Sequence, residues 1–275
     1  MTPRKRLIIF TTLFCITIII FSSSMILGKH LSLEAKVQAT TINKSTYRTH
    51  KTKLMNIEAK GNSLNTFFQT KSAARVIYLT FDDGPTEYTE EILKILHTHQ
   101  VKSTFFMLNG NMIKRPEIVE NVVADGHAIG CHGVTHRVSN FYKTMTSPRE
   151  EMDACAKTLE TISGKSSKIV RVPFGSFPNL TSAQKIELDK AEYVMWDWNV
   201  DSNDWKIDNP KKITQSVLTQ VHKLLKKDKV PVILFHDKAI TAKVLPQIIT
   251  ELKDLGYEFL PIDENDIPVQ FQIHS

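Results

Sequence analysis

From position 76 onward one pattern of hydrophobic and polar positions recurs along the chain. A short run of β-branched and aromatic residues is followed by a turn. Apolar positions spaced three and four apart come next. Val76 to Phe81 (VIYLTF) reads as a buried strand, and Tyr88, Ile92, Ile95 and Leu96 then follow helical spacing. Thr104 to Leu108 reads as a second strand, Pro116 to Ala124 as a helix, and His127 to Cys131 as a short strand. Ser147-Pro148-Arg149-Glu150 has the form of a capping box with proline at the first helical position. Met152, Cys155, Leu159 and Ile162 form the stripe of that helix, and Gly164 ends it. Strands are expected at Ile169 to Val172, Tyr193 to Trp196, Val230 to Phe235 and Tyr257 to Pro261. Helices are expected at Ser182 to Ala191, Pro210 to Lys226 and Val244 to Leu255.

Alternating strands and helices imply an α/β fold with a parallel sheet covered by helices. About seven such units in about 200 residues suit a closed or nearly closed barrel. A doubly wound open sheet is the other arrangement. No GxGxxG or Walker sequence supplies a nucleotide site for it.

The N-terminus differs. Arg4, Lys5 and Arg6 precede a run from Leu7 to Leu27 without a charged residue. That is the length of a bilayer-crossing helix and exceeds a usual signal-peptide core. Residues 1–28 are therefore expected to be a transmembrane signal-anchor, with the basic end inside and the rest outside. A long cleavable signal, cut after Ala39, is the rival reading. Residues 29–72 are Thr-, Asn- and Lys-rich with weak periodicity and are expected to form a stalk or linker. Residues 73–275 form the domain.

Composition narrows the class. Hydrophobic residues make up 41% and charged residues 23%, which excludes collagen-like and disordered chains. Three cysteines cannot build a disulfide framework, so packing must hold the fold. The net charge of +6 fits an anionic surrounding. Lys and Arg are dispersed, however, and the chain carries an export signal, so no nucleic-acid partner is expected.

The reactive residues fall at strand ends. Asp82 and Asp83 follow the first strand, His132 and His136 the third, and Arg171 lies in the fourth. Asp201 follows the fifth, and His236 ends the sixth. A parallel barrel gathers all these ends on one rim, where such folds build active sites. Each motif has a plainer reading: Asp82-Asp83-Gly84-Pro85 as a turn, His132 and His136 as loop histidines, Asp201 and Asp204 as caps. Taken together, two histidines and one carboxylate make a facial metal site with open positions. That leaves a carboxylate, an arginine and a histidine for acid–base work.

Thr80-Phe81-Asp82-Asp83-Gly84-Pro85, His132 and His136, Arg171-Val172-Pro173-Phe174-Gly175, Asp201-Ser202-Asn203-Asp204-Trp205 and Ile233-Leu234-Phe235-His236 occur in that order. This set resembles the polysaccharide deacetylase family, also called NodB-homology or family-four carbohydrate esterases. The resemblance covers about Arg75 to Pro261. It implies a distorted (β/α) barrel and a hydrolase that removes acetyl groups from acetylated sugars with one divalent metal. That metal is commonly zinc, with cobalt or manganese sometimes accepted.

On the family pattern Asp83, His132 and His136 hold the metal. Asp82 is the general base, and Arg171 pairs with it. The Phe174 N–H joins the metal in stabilising the oxyanion. His236 is the general acid, and Asp201 bonds its other ring nitrogen. Trp205 and Leu234 wall the acetyl methyl. Two departures stand out. Gly133 replaces the usual Ser or Thr after the first histidine, with Thr135 nearby to compensate. Phe174 stands where Tyr is frequent, which a backbone donor tolerates. Cys131 is expected to point into the barrel wall, with Cys155 also a buried free thiol; a Cys131–Cys155 disulfide is the alternative. The expected protein is a monomeric enzyme tethered outside the membrane and facing the wall. Its expected substrate is peptidoglycan. Chitin, xylan or another surface glycan, or silent glycan binding on the same fold, are the alternatives.

Overall fold

The computed structural model describes residues 75–273. The expected signal-anchor and stalk lie outside the described residues. Among the described residues no helix is long and apolar enough to cross a membrane.

In chain order the elements are β1 (Arg75–Gly84), α1 (Thr89–Thr98), β2 (Thr104–Met107), α2 (Asn109–Lys114), α3 (Pro116–Ala124) and β3 (Ala128–Cys131). Then follow α4 (Val138–Phe141), α5 (Ser147–Ser163), β4 (Ile169–Val170), α6 (Ser182–Lys190) and β5 (Val194–Met195). The last are β6 (Val200–Asp201), α7 (Pro210–Leu225), β7 (Val232–His236), α8 (Ala239–Asp254) and β8 (Tyr257–Phe259). The strands run β5-β4-β3-β2-β1-β7-β6, and every paired neighbour is parallel. β8 pairs with the first three residues of β1.

Alternation along the strands builds two cores. Ile77, Leu79 and Phe81 point from β1 toward the helices, where Phe81 lies 5.0 Å from the Phe105 ring and 5.8 Å from Phe235. Tyr78, Phe106, Ile169, Trp196, Val232 and Ile262 form a second cluster without a helical residue, so it fills the concave inner face. Thr80 and Asp82 share that inner face with Tyr78 by the two-residue period. This is how polar chemistry enters an otherwise apolar strand.

The seven strands form a half-barrel, since β5 and β6 end the sheet without pairing to each other. The C-terminal segment covers this seam. The Asp197 N–H donates to the Val269 carbonyl at 2.7 Å, and the Gln270 side chain donates to the Met195 carbonyl at 2.9 Å. The Asp197 carboxylate accepts from the Phe271 N–H at 2.8 Å. It also accepts from the Ser176 N–H at 2.8 Å and the Ser176 hydroxyl at 2.6 Å. One fully buried carboxylate thus ties the loop after β4 to the C-terminal strap.

Several local expectations need correction. The Ser147 capping box does not form. The Ser147 hydroxyl instead donates to the Phe141 carbonyl at 2.8 Å, and α5 starts without a side-chain cap. A complete capping box forms at Thr181 and Gln184. α8 begins earlier than its apolar stripe suggests, because the Thr241 hydroxyl in its first turn donates to Asp204 at 2.6 Å. Gly164 does end α5, with a left-handed φ of 68°.

Replacing Asp197 with Ala leaves the buried Ser176 N–H and the part-buried Phe271 N–H without their acceptor. Asp197→Ala should therefore lower stability by about 3 kcal/mol. A lowered urea midpoint at unchanged slope would show it.

Candidate active site

The end of β1 sets the centre of the site. Asp82 is buried on the inner face, and its Oδ1 accepts from Arg171 Nη1 at 2.8 Å. Arg171 is wholly buried and spends its other donors on neutral acceptors. These are the Thr80 hydroxyl at 2.7 Å, the Trp196 carbonyl at 3.2 Å and the Asp197 carbonyl at 3.0 Å. Its guanidinium also stacks 4.2 Å from the centre of the Phe106 ring. Such bonding is what an ion pair requires when it is taken out of water.

Strict alternation would turn Asp83 away from Asp82. The structure avoids this with a left-handed φ of 71° at Asp83 and a register shift between Asp82 and Gly84. Aspartate tolerates this conformation better than most residues. Asp83 Oδ1 consequently lies 3.6 Å from His132 Nε2 and 3.3 Å from His136 Nε2. Asp82 Oδ2 sits 3.7 Å from His132 Nε2.

Asp83, His132 and His136 place three candidate ligand atoms within 4.8 Å of one another. Their chemistry fits a divalent cation. Asp83 Oδ1 is a buried oxygen without a hydrogen-bond partner, an arrangement that is costly unless a cation satisfies it. His132 Nδ1 lies 2.7 Å from the Arg171 carbonyl. A proton held there leaves the Nε2 lone pair facing Asp83. Burial, and then the neighbouring His132, push the His136 pKa below its ordinary value of 6.5, which favours the neutral ligating form.

His236 lies beside this cluster through register, since it pairs with Asp82 across β1 and β7. Here one expectation is overturned. The carboxylate on His236 Nδ1 belongs to Asp204, at 2.7 Å, and not to Asp201. Asp201 Oδ1 is taken by the Asn203 N–H at 2.8 Å, in a turn where Asn203 has a φ of 62°. That turn carries Asp204 back to the end of β7, where its Oδ2 also accepts from the His236 N–H at 2.7 Å.

The dyad sets its own charge. Burial alone would lower the His236 pKa, but the bond to Asp204 and its negative charge outweigh burial, and the net shift is upward from 6.5. Burial would raise Asp204, but the bond to His236 outweighs it, and the net shift is downward from 3.8. The His236 contribution to stability is complete below pH 6.5 and is lost as pH rises through its raised folded value. The Asp204 contribution is present above pH 3.8 and is lost as pH falls through its depressed folded value.

These groups line a cleft of about 430 Å3. Leu234, Trp205 and Asp201 wall it, as do Trp198 and Lys238, which the sequence did not single out. Phe174 is about half exposed, with its ring centre 4.6 Å from that of His136 and a left-handed φ of 66°. Its N–H makes no hydrogen bond among the described residues. Cys131 and Cys155 are buried free thiols. Gly133 has a φ of 90°, and a Cβ there would approach Phe141 to 2.9 Å. Glycine is thus demanded by this loop. The Thr135 hydroxyl does not replace a lost Ser or Thr directly; it donates to Glu151.

The profile of the polysaccharide deacetylase family matches residues 69–193. A peptidoglycan-N-acetylglucosamine deacetylase of Bacillus cereus is 36% identical over 205 residues, covering 72% of this chain and 73% of that protein. A bifunctional xylanase/deacetylase of Pseudobutyrivibrio xylanivorans is 32% identical over 210 residues, covering 74% of this chain and 32% of that protein. Among solved structures, a polysaccharide deacetylase from Bacillus cereus aligns with a TM-score of 0.67 at 36% identity. It covers 72% of this chain and 97% of that one.

The dyad yields a direct prediction. In Asp204→Asn the His236 ring should titrate at lower pH than in the wild type, followed by NMR of its ring protons. An unchanged midpoint would mean that Asp204 does not set its charge.

Proposed function

The chain belongs to the polysaccharide deacetylase family, and on that premise we propose that it hydrolyses the N-acetyl groups of peptidoglycan amino sugars, using one divalent ion, zinc. The observation that carries this reading is the grouping of Asp83, His132 and His136 beside an arginine-paired Asp82 and an aspartate-paired His236.

Asp83 Oδ1 and the two histidine Nε2 atoms would hold the ion. A divalent ion in that position polarises the acetyl carbonyl and lowers the pKa of water. Asp82, oriented by Arg171 through Oδ1, takes a proton from the attacking water at Oδ2. The Phe174 N–H is free to donate to the oxyanion that develops on the carbonyl. His236, charged through Asp204, gives its proton to the departing sugar nitrogen. Leu234 and Trp205 border the space for the acetyl methyl.

The preference for peptidoglycan over chitin or xylan rests on two features. Lys238 lines the cleft without an ion-pair partner among the described residues, which suits a glycan carrying carboxylates better than a neutral one. The basic-apolar segment at residues 4–27 suits an enzyme held at the outer face of the membrane, near the wall.

The purified full chain should release acetate from peptidoglycan, and chelator should stop it until zinc is restored. Mass spectrometry of muramidase fragments identifies the sugar that loses its acetyl group. Asp82→Asn should keep zinc and lose roughly 10²–10⁴-fold in turnover. Acetate release that is indifferent to chelator, or a fully active Asp82→Asn, would refute the assignment.

A further inference from the structure

We infer that Glu151 is a positioning residue that holds the loop between the two histidine ligands in its ligating conformation. The inference rests on the reading of Asp83, His132 and His136 as a metal site.

The loop from His132 to His136 is unusual backbone. Gly133 has a φ of 90° and His136 a φ of 46°. Left-handed residues cost free energy unless the surroundings impose them. On one side the loop is held by the end of β2 and the start of α2: the His132 N–H donates to the Met107 carbonyl at 2.8 Å. The Gly133 carbonyl accepts from the Asn109 N–H at 3.0 Å. On the other side its polar groups converge on one carboxylate. Glu151 Oε2 accepts from the consecutive N–H groups of Val134 and Thr135, both at 2.9 Å. Glu151 Oε1 accepts from the Thr135 hydroxyl at 2.7 Å. Consecutive backbone N–H groups aimed at one point make an anion-binding concavity, and here the anion is supplied by the protein.

The support is rigid. Glu151 is on α5, whose Met152, Cys155 and Leu159 are buried in the core. Gly133 is part of the same device, since a Cβ there would lie 3.2 Å from Glu151 Oε2 and 2.9 Å from the Phe141 ring. The absence of that Cβ lets the carboxylate close on the loop. Glu151 itself is not among the candidate ligands. It acts through the orientation of His132 and His136, as outer-shell partners of metal sites do.

The test is zinc affinity, measured on the metal-stripped full chain by competition with a chromophoric chelator. Urea unfolding of the same metal-free samples checks folding. Glu151→Ala should remain folded and bind zinc about 10–100-fold more weakly than wild type. Glu151→Gln can still accept both N–H bonds and should recover most of that loss. Wild-type zinc affinity in Glu151→Ala overturns the inference, and equal weakening by Ala and Gln overturns the hydrogen-bond role. If Glu151→Ala does not fold, Thr135→Val decides, since it removes one bond and leaves the carboxylate. A few-fold loss of zinc affinity supports the inference, and no loss overturns it. Failure of the wild-type chain to bind zinc more tightly than His132→Ala would instead refute the metal site itself.

Discussion

The buried pair between Arg171 and Asp82 is the constraint on which the rest of the site is built. Both residues are withdrawn from water on the inner face of the half-barrel. Two charges in that position are expensive, and the cost is offset only if the remaining donors are used. Arg171 meets the condition by bonding β1 at Thr80 and Asp82, and the segment after β5 at Trp196 and Asp197. It therefore binds together parts of a sheet whose ends do not pair. Its own carbonyl reaches His132 Nδ1, so the residue that orients Asp82 also orients a histidine of the triad. The placement of Asp82 and of His132 thus comes from one residue's side chain and backbone.

Around this pair the site divides its electrostatics. Asp83, His132 and His136 present lone pairs to a common point, with one carboxylate oxygen left unbonded. Across β1 and β7, Asp204 bonds the His236 ring and raises its pKa above the ordinary value, against the opposing effect of burial. A cluster suited to a cation and a carboxylate-paired histidine thus both neighbour Asp82. Apolar walls at Leu234, Trp205 and Trp198 lower the local polarity and strengthen both.

Much of this was legible in the sequence, for reasons that can be named. β1 and β7 are mainly apolar runs that end in Asp82-Asp83-Gly84 and in His236. The rule for parallel strands then places Asp82, Asp83 and His236 on one rim from sequence alone. The two-residue strands β4, β5 and β6 carry too little pattern to bound, and β6 gave no signal separate from its turn. The choice between Asp201 and Asp204 depended on a turn conformation at Asn203, which spacing does not encode. Glu151 and Asp197 act across long sequence separations, where no local motif exists. The Ser147 motif shows the opposite failure, a correct local signature outcompeted by carbonyls at Phe141 and Thr144.

The residues around the cleft share a backbone feature and its supports. Left-handed backbone gathers at Asp83, Gly133, His136, Phe174 and Asn203, all in or beside the cleft. These conformations aim side chains where regular strands would not, and each needs an external hold. Carboxylates outside the reacting groups supply it. Glu151 holds the histidine loop, Asp197 the Phe174 loop through Ser176, and Asp204 the His236 ring. Asp237 accepts from the hydroxyls of Thr86, at 3.1 Å, and Thr89, at 2.6 Å, and so fixes the turn after β1. A carboxylate can collect several donors from one irregular loop, which a neutral side chain of similar size cannot do as fully. The site's aim therefore rests on acids, of which Asp204 lies inside a motif and Glu151 and Asp197 lie outside all of them. This is why the motifs read clearly from the sequence while Glu151 and Asp197, which lie outside them, did not.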